Sequence, residues 1–221
     1  RMETETKTDD LLGRGNRDGA QLFRDWFSSL SGTAERGEQS AYVFVMGSIS
    51  EILTTFDLPI VFPEINSLQT AVRRVAHEYL SEAEDSPDIC GYVKADVALQ
   101  LRGGKHPMGD IPKPSIAVAT NACNTYIKWA EIWERMYKIP VVVIDIPGTR
   151  EADGQTWQGH GDFQNDRRYV EVQLRELITV CEEVTGRKFD IDRLREVLGY
   201  ANEMSVGWKK VLEINKARPA P

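Results

Sequence analysis

Val141-Val142-Val143-Ile144 is an unbroken β-branched run. A strand of that kind suits a sheet covered by helices on both sides, because neither of its faces alternates with polar residues. It is the last and strongest of four strand signals. The others are Ala41–Met46, Pro59–Phe62 and Ser115–Ala119, each a short apolar run bounded by turn residues. Between them the apolar spacing switches to that of helices. Helices are predicted over Glu51–Phe56, from Leu68 to about Ala83 behind an Asn66 or Ser67 cap, through Cys90–Leu101, and from Cys123 to about Lys138. Their expected buried stripes are Leu68, Val72, Val75, Tyr79 and Leu80 on the second, and Tyr126, Ile127, Ala130, Trp133 and Tyr137 on the fourth.

Strands alternating with helices predict an α/β fold. The expected architecture is a three-layer domain with a mostly parallel, Rossmann-like sheet, followed by long C-terminal helices near Asp162–Thr185 and Asp190–Lys216. In such sheets ligands gather outside the carboxyl ends of the strands. Gly47–Ser50, Pro63–Asn66, Thr120–Asn124 and Pro147–Gly161 are the loops expected on that rim. Residues 1–18, rich in charge, are expected as a mobile tail, and 19–221 as the α/β domain. Leu22, Phe23, Trp26, Phe27 and Leu30 predict an amphipathic helix ending near Ser31-Gly32.

Charge excludes some partners. A net charge of −7 and a pI near 5.1 argue against nucleic-acid binding. No apolar run approaches the roughly 18 residues of a membrane span, and the start of the chain carries no secretory apolar region. The expectation is a soluble cytoplasmic protein. Familiar motifs are missing: no G-x-G-x-x-G follows a strand, Gly103-Gly104-Lys105 is not a P-loop, and His77-Glu78 lacks the second zinc histidine.

Three cysteines without a Cys-x-x-Cys do not make a disulfide framework or a zinc ribbon. Cys181 falls on the stripe Val170, Leu174, Leu177, Ile178, Cys181 and Val184, and reads as core. Cys90 and Cys123 are different. Ser86 suits an N-cap, Pro87 the first helical position and Asp88 the positive helix end, so Cys90 lies at a helix start. Cys123 follows the turn Thr120-Asn121-Ala122 and starts the next helix. A helix N-terminus favours the thiolate, and two such thiols are candidates for one soft metal centre. The plain alternative for each is a small buried hydrophobe.

Gly47-Ser48-Ile49, Pro63-Glu64, Asp88-Ile89-Cys90-Gly91-Tyr92-Val93-Lys94, Asn121-Ala122-Cys123 with the aromatic helix Tyr126–Trp133, and Pro140–Pro147 together resemble the benzoyl-CoA reductase / 2-hydroxyacyl-CoA dehydratase family. The likeness covers most of residues 40–215, and the run Tyr92–Val97 looks more like the reductase branch. The resemblance implies a cluster-bearing subunit with a [4Fe-4S] cluster held by three cysteines, of which Cys90 and Cys123 match two. In the family the third lies in a second α/β domain, so the chain is expected as the N-terminal portion of a longer two-domain subunit, or as a split polypeptide whose partner supplies the rest.

The implied activity is single-electron reduction of an aromatic acyl-CoA by an ATP-driven, low-potential reductase, an oxidoreductase of anaerobic aromatic degradation. The alternatives are a 2-hydroxyacyl-CoA dehydratase, a lyase acting through a ketyl radical, and a non-catalytic structural or electron-relay subunit. Ordinary ferredoxins sit near about −400 mV and clusters reach about −700 mV. A one-electron gap of about 300 mV is about five powers of ten in equilibrium constant. The implied partners are therefore a homologous cluster-bearing subunit, an ATP-hydrolysing electron-donor protein and the acyl-CoA substrate, with neither nucleic acid nor membrane.

Glu64, at a strand end, is a candidate catalytic proton donor or acceptor; a solvated or capping carboxylate is the equal alternative. Ser48 is a candidate to set a hydroxyl near the open iron or the substrate carbonyl, and capping the next helix explains it equally well. Lys94, Arg102, Lys105 and His106 are candidates for coenzyme A phosphates against a plain solvated charged loop, and Trp157 and His160 for a substrate channel against subunit packing.

Overall fold

A computed structural model describes residues 2–44, 49–72, 90–147 and 161–217, with side chains from residue 13 and, in the last segment, from 163. The chain divides into two compact units, Arg1–Ser40 with Pro63–Lys113, and Ala41–Phe62 with Pro114–Pro221.

The second unit carries the sheet. Its strands are β1 (Ala41–Val43), β2 (Ile60–Val61), β3 (Ile116–Thr120) and β4 (Val141–Ile144). They lie in the order β2-β1-β3-β4, all parallel. The two faces follow from the two-residue period of a strand. On one face Ala41, Val43, Ile116, Val118 and Val142 pack with Ile52, Leu53, Leu177 and Cys181. Those partners come from two helices, α2 (Ser50–Thr55) and a long C-terminal helix, Gly161–Thr185. On the other face Tyr42 meets Trp133 edge-on at 4.8 Å, and Phe44 stacks on Trp133 at 4.6 Å. The register sets Tyr42 beside Ala117, so a small residue on β3 adjoins the ring on β1. Each of these buried aromatics contributes about 1.5–3 kcal/mol by leaving water. The result is a parallel four-strand sheet with helices on both sides and long helices at the C-terminal end.

The strand with the strongest sequence signal is not the most deeply buried one. β4 ends the sheet order, and Val141–Val143 are half-buried. β3, the weaker sequence signal, is buried at all five positions because β1 and β4 flank it. A continuous apolar run reports burial of its faces and says nothing of its place in the order.

Helix ends in this unit follow local chemistry. The Asp190 carboxylate accepts from the N–H groups of Asp192 at 2.8 Å and Arg193 at 3.1 Å, capping Ile191–Ile214 as expected. Asn124–Tyr137 stops at Lys138, which is left-handed with φ 55°. Its buried face holds Tyr126, Trp129, Ala130 and Trp133; Ile127, expected inside, is 43% exposed.

The first unit is helical: α1 (Met2–Arg36), α3 (Pro63–Val72) and α4 (Gly91–Leu101). The stretch read as a tail is helical from Met2, with an Arg14–Asp18 pair one turn apart. α1 also runs past Gly32, and stops where Gly37 turns left-handed at φ 64°. α3 begins three residues before Asn66 and four before Ser67, the two expected caps. Pro63 takes the first helical position and Glu64 the first turn, so Asn66 and Ser67 fall inside the helix. Its buried face is polar as well: Pro63, Asn66, Ser67 and Thr70 are buried, whereas Leu68 and Val72 are exposed. Hydrogen bonds satisfy Ser67 and Thr70, whereas both polar atoms of the Asn66 amide are buried without a hydrogen-bond partner among the described residues. Ser67 Oγ donates to the Tyr92 carbonyl at 2.8 Å, and Thr70 Oγ1 to the Ser67 carbonyl at 2.7 Å. Val75, Tyr79 and Leu80 lie outside the described residues.

His106 belongs to this packing. It is buried, stacks on Phe27 at 5.0 Å, and its Nε2 sits 3.1 Å from the Asn66 carbonyl. Its Nδ1 accepts from the Met108 N–H at 3.1 Å. Nδ1 is thus the bare nitrogen and Nε2 the donor. Both nitrogens are engaged, which removes His106 from the candidates for a phosphate and from a solvated loop alike.

Candidate functional site

The sheet order fixes where a site forms. The chain runs from β1 to β2 on one side, then crosses back to place β3 on the other side of β1. In open parallel sheets ligands gather at the carboxyl ends of the strands that flank such a reversal, here β1 and β3. Cys123 stands there, three residues past the end of β3, as the N-cap of α5 (Asn124–Tyr137). Its backbone is extended, φ −138° and ψ 129°, and its carbonyl accepts the first helical bond, from Tyr126 N–H at 3.0 Å. The thiol is half-buried.

The turn before Cys123 is fixed by polar side chains. Thr120 Oγ1 accepts from the Ala122 N–H at 3.3 Å. Asn121 Oδ1 accepts from the Ile146 N–H at 2.9 Å, and its Nδ2 donates to the Ile146 carbonyl at 2.9 Å and to the Asp145 carboxylate. From α6 (Gly161–Thr185), Tyr169 donates its hydroxyl to the same carboxylate at 2.8 Å, and Gln173 Oε1 accepts from the Asp145 N–H at 2.7 Å. The Asp145 carboxylate raises Tyr169 above the ordinary phenol range, first through that hydrogen bond and then through its charge.

On the β1 side, Ser48 lies outside the described residues, as do Trp157 and His160 in the β4 loop. The residue after Ser48, Ile49, is left-handed with φ 62°. For a β-branched residue this conformation costs of order 1–3 kcal/mol.

In the first unit, Cys90 is the N-cap of α4, with φ −52° and ψ 131°, and its thiol is exposed. The helix thus begins at Gly91, later than the Ser86 cap predicts; residues 86–89 lie outside the described ones. Ser67 holds the first turn of α4 through its bond to Tyr92. Glu64 is half-buried in the first turn of α3, where a carboxylate suits the positive helix end. Lys94 is half-buried on α4, Arg102 is its C-cap, and Lys105 pairs with Asp110.

The model of the family described as 2-hydroxyglutaryl-CoA dehydratase, D-component, matches residues 48–221. The chain belongs to this family.

Within it, the chain is 37% identical over 202 residues to a benzoyl-CoA reductase subunit of Thauera aromatica, covering 88% of this chain and 45% of that one. It is 30% identical over 192 residues to the (R)-phenyllactyl-CoA dehydratase alpha subunit of Clostridium sporogenes, covering 85% of this chain and 44% of that one. It is 30% identical over 163 residues to the (R)-2-hydroxyisocaproyl-CoA dehydratase alpha subunit of Clostridioides difficile, 72% of this chain and 38% of that one. The chain spans less than half the length of these relatives. By their names the relatives are subunits of acyl-CoA reductases and dehydratases. The benzoyl-CoA reductase / 2-hydroxyacyl-CoA dehydratase likeness read from the motifs is therefore correct at the level of the family.

The donor chemistry bears on the cluster this family implies. Cys90 and Cys123 each cap a helix without spending the sulfur on a capping bond, and neither is in a disulfide. Thiols at helix starts suit an iron–sulfur centre. Among the described residues no group of three or more His, Cys, Asp or Glu side chains is placed to hold a metal ion. Cys181 is no candidate: it is buried in the core and burial pushes its thiol up to about 12. No helix among the described residues is long and apolar enough to cross a membrane.

Residue-level reading missed the rim network of Asn121, Asp145, Tyr169 and Gln173. The signal was present: Asn121 and Asp145 directly follow β3 and β4, whose last residues, Thr120 and Ile144, pair in register.

Proposed function

We propose that this chain is part of the iron–sulfur subunit of a low-potential acyl-CoA reductase that reduces a benzoyl-CoA-type ring by single-electron transfer. The observation carrying this is the 37% identity to a benzoyl-CoA reductase subunit across 88% of the chain. The Tyr92-Val93-Lys94 run and the position of Cys123 beyond the carboxyl end of β3 support it. In this reading Cys90 and Cys123 supply two thiolate ligands to a [4Fe-4S] cluster. The third belongs to a polypeptide part beyond this sequence, and the chain is the N-terminal portion of a two-domain subunit.

When bound, such a cluster supplies electrons one at a time at low potential. The chain's own residues do the rest. The helix N-termini at Gly91 and Asn124 stabilise negative charge on the cysteines, each by about 0.3–1 kcal/mol at an exposed site. Glu64 exchanges a proton with the substrate, and Ser48 offers a hydroxyl to the thioester carbonyl. A homologous cluster-bearing subunit completes the enzyme, and an ATP-hydrolysing electron donor, working in the cytoplasm, supplies the reductant.

The second reading is a 2-hydroxyacyl-CoA dehydratase, favoured by the two dehydratase relatives. Product analysis separates the two. The complex, purified anaerobically with its partner subunit and supplied with ATP and its electron donor, is given benzoyl-CoA or an (R)-2-hydroxyacyl-CoA. Ring reduction without dehydration supports the first reading; dehydration without ring reduction overturns it. Loss of turnover with intact iron content in Glu64→Gln or Ser48→Ala supports those two roles, and unchanged turnover removes them.

A further inference from the structure

After Ile144 the sheet ladder ends, yet the next two peptides remain fully bonded. Gln173 accepts from the Asp145 N–H at 2.7 Å and donates to the Asp145 carbonyl at 3.0 Å. Asn121 accepts from the Ile146 N–H at 2.9 Å and donates to the Ile146 carbonyl at 2.9 Å. A primary amide carries one acceptor and two donors, so it can bond a peptide as a neighbouring strand would. Two such amides hold successive residues, one from the exit of β3 and one from α6. Asn121 also donates to the Asp145 carboxylate, which accepts from Tyr169 as well.

The same residue governs the turn into α5. The Asn121 N–H points to the Ile144 carbonyl at 3.4 Å, the Ala122 N–H to Thr120 Oγ1 at 3.3 Å, and the Cys123 carbonyl receives the Tyr126 N–H at 3.0 Å. The backbone on either side of Cys123 is therefore tied down, and the side chain that ties the turn to β4 is Asn121.

We propose that Asn121 is a positioning residue for the Cys123 thiol, holding the turn between β3 and α5 against the exit of β4. The proposal rests on the reading of Cys123 as a cluster ligand. Its chemistry requires an amide. A carboxylate at 121 has no donor for the Ile146 carbonyl and faces the Asp145 carboxylate with like charge.

Asn121→Asp tests it, with Asn121→Ala as a second variant that deletes the bonds without adding charge. All three cysteines of the anaerobic, cluster-free chain are followed in one sample by iodoacetamide labelling and mass spectrometry. Loss of the clamp is expected to speed labelling of half-buried Cys123 by about fivefold, the equivalent of one hydrogen bond. Exposed Cys90 and buried Cys181 keep their parental rates. In the complex with the partner subunit, the variants are expected to retain iron but show a changed electron paramagnetic resonance signature.

Unchanged Cys123 labelling in a folded variant overturns the proposal. So does equal acceleration at Cys181, which reports general loosening. A parental complex without iron overturns the proposed function instead, and the labelling comparison still decides the role of Asn121 on the turn.

Discussion

Asn121 holds both polar groups of the Ile146 peptide, N–H and C=O, each at 2.9 Å. One side chain thereby joins the exits of two neighbouring parallel strands, two residues before Cys123. The carboxylate of Asp145 extends the join to α6 through Tyr169.

That carboxylate gives a titration to follow. It raises Tyr169 above an ordinary phenol by accepting its hydrogen bond and by repelling the phenolate. Asp145→Asn is expected to lower the Tyr169 pKa toward the ordinary tyrosine range. Ultraviolet difference titration against Tyr169→Phe as the blank measures it; a Tyr169 transition that stays put in Asp145→Asn contradicts the contact.

Cys181 gives a second. Burial raises its thiol to about 12, well above an exposed cysteine at about 8.5. The folded state therefore holds this proton more tightly than the unfolded one. Its contribution to stability is complete below the unfolded value and is lost as pH rises through the folded value. Urea denaturation from pH 8 upward is expected to show stability falling more steeply in the parent than in Cys181→Ala. The variant itself starts lower, by about 1 kcal/mol, because it leaves a small void beside Val43 and Leu177. Parallel pH curves for the two proteins contradict the assignment.

Asp190 accepts two backbone N–H groups at the start of α7 (Ile191–Ile214). Asp190→Ala is expected to cost about 1 kcal/mol, and Asp190→Asn much less, because the amide oxygen still accepts. Chemical denaturation of the three proteins measures both differences; equal losses in Ala and Asn contradict a capping role.

Much of this fold was legible because strand and helix periods are local. The four strands, the Asp190 cap and the helix start at Cys123 follow from a few residues each. What was not legible depended on partners far away in sequence. Asn66 and Ser67, read as a helix cap, go inside because distant partners meet this turn: Ser67 Oγ donates to the Tyr92 carbonyl, and His106 Nε2 meets the Asn66 backbone carbonyl. Trp129 goes inside and Ile127 outside because Phe44, the residue after β1, meets Trp129 at 5.0 Å. Arg187, an unremarkable charge in the sequence, bonds Asp57 and the Phe56 carbonyl across 130 and 131 positions. At the site, motif resemblance drew attention to Cys90, Cys123 and Asn121, but the clamp on Ile146 needed the strand order β1-β3-β4.

Cys90 and Cys123 are proposed to hold iron, and metal content decides it. Iron and acid-labile sulfide are measured in the complex purified anaerobically with its partner subunit, beside Cys90→Ala, Cys123→Ala and Cys181→Ala. The first two are expected to lose the cluster carried by this subunit while Cys181→Ala keeps it. Full iron and sulfide in both Cys90→Ala and Cys123→Ala would contradict the assignment.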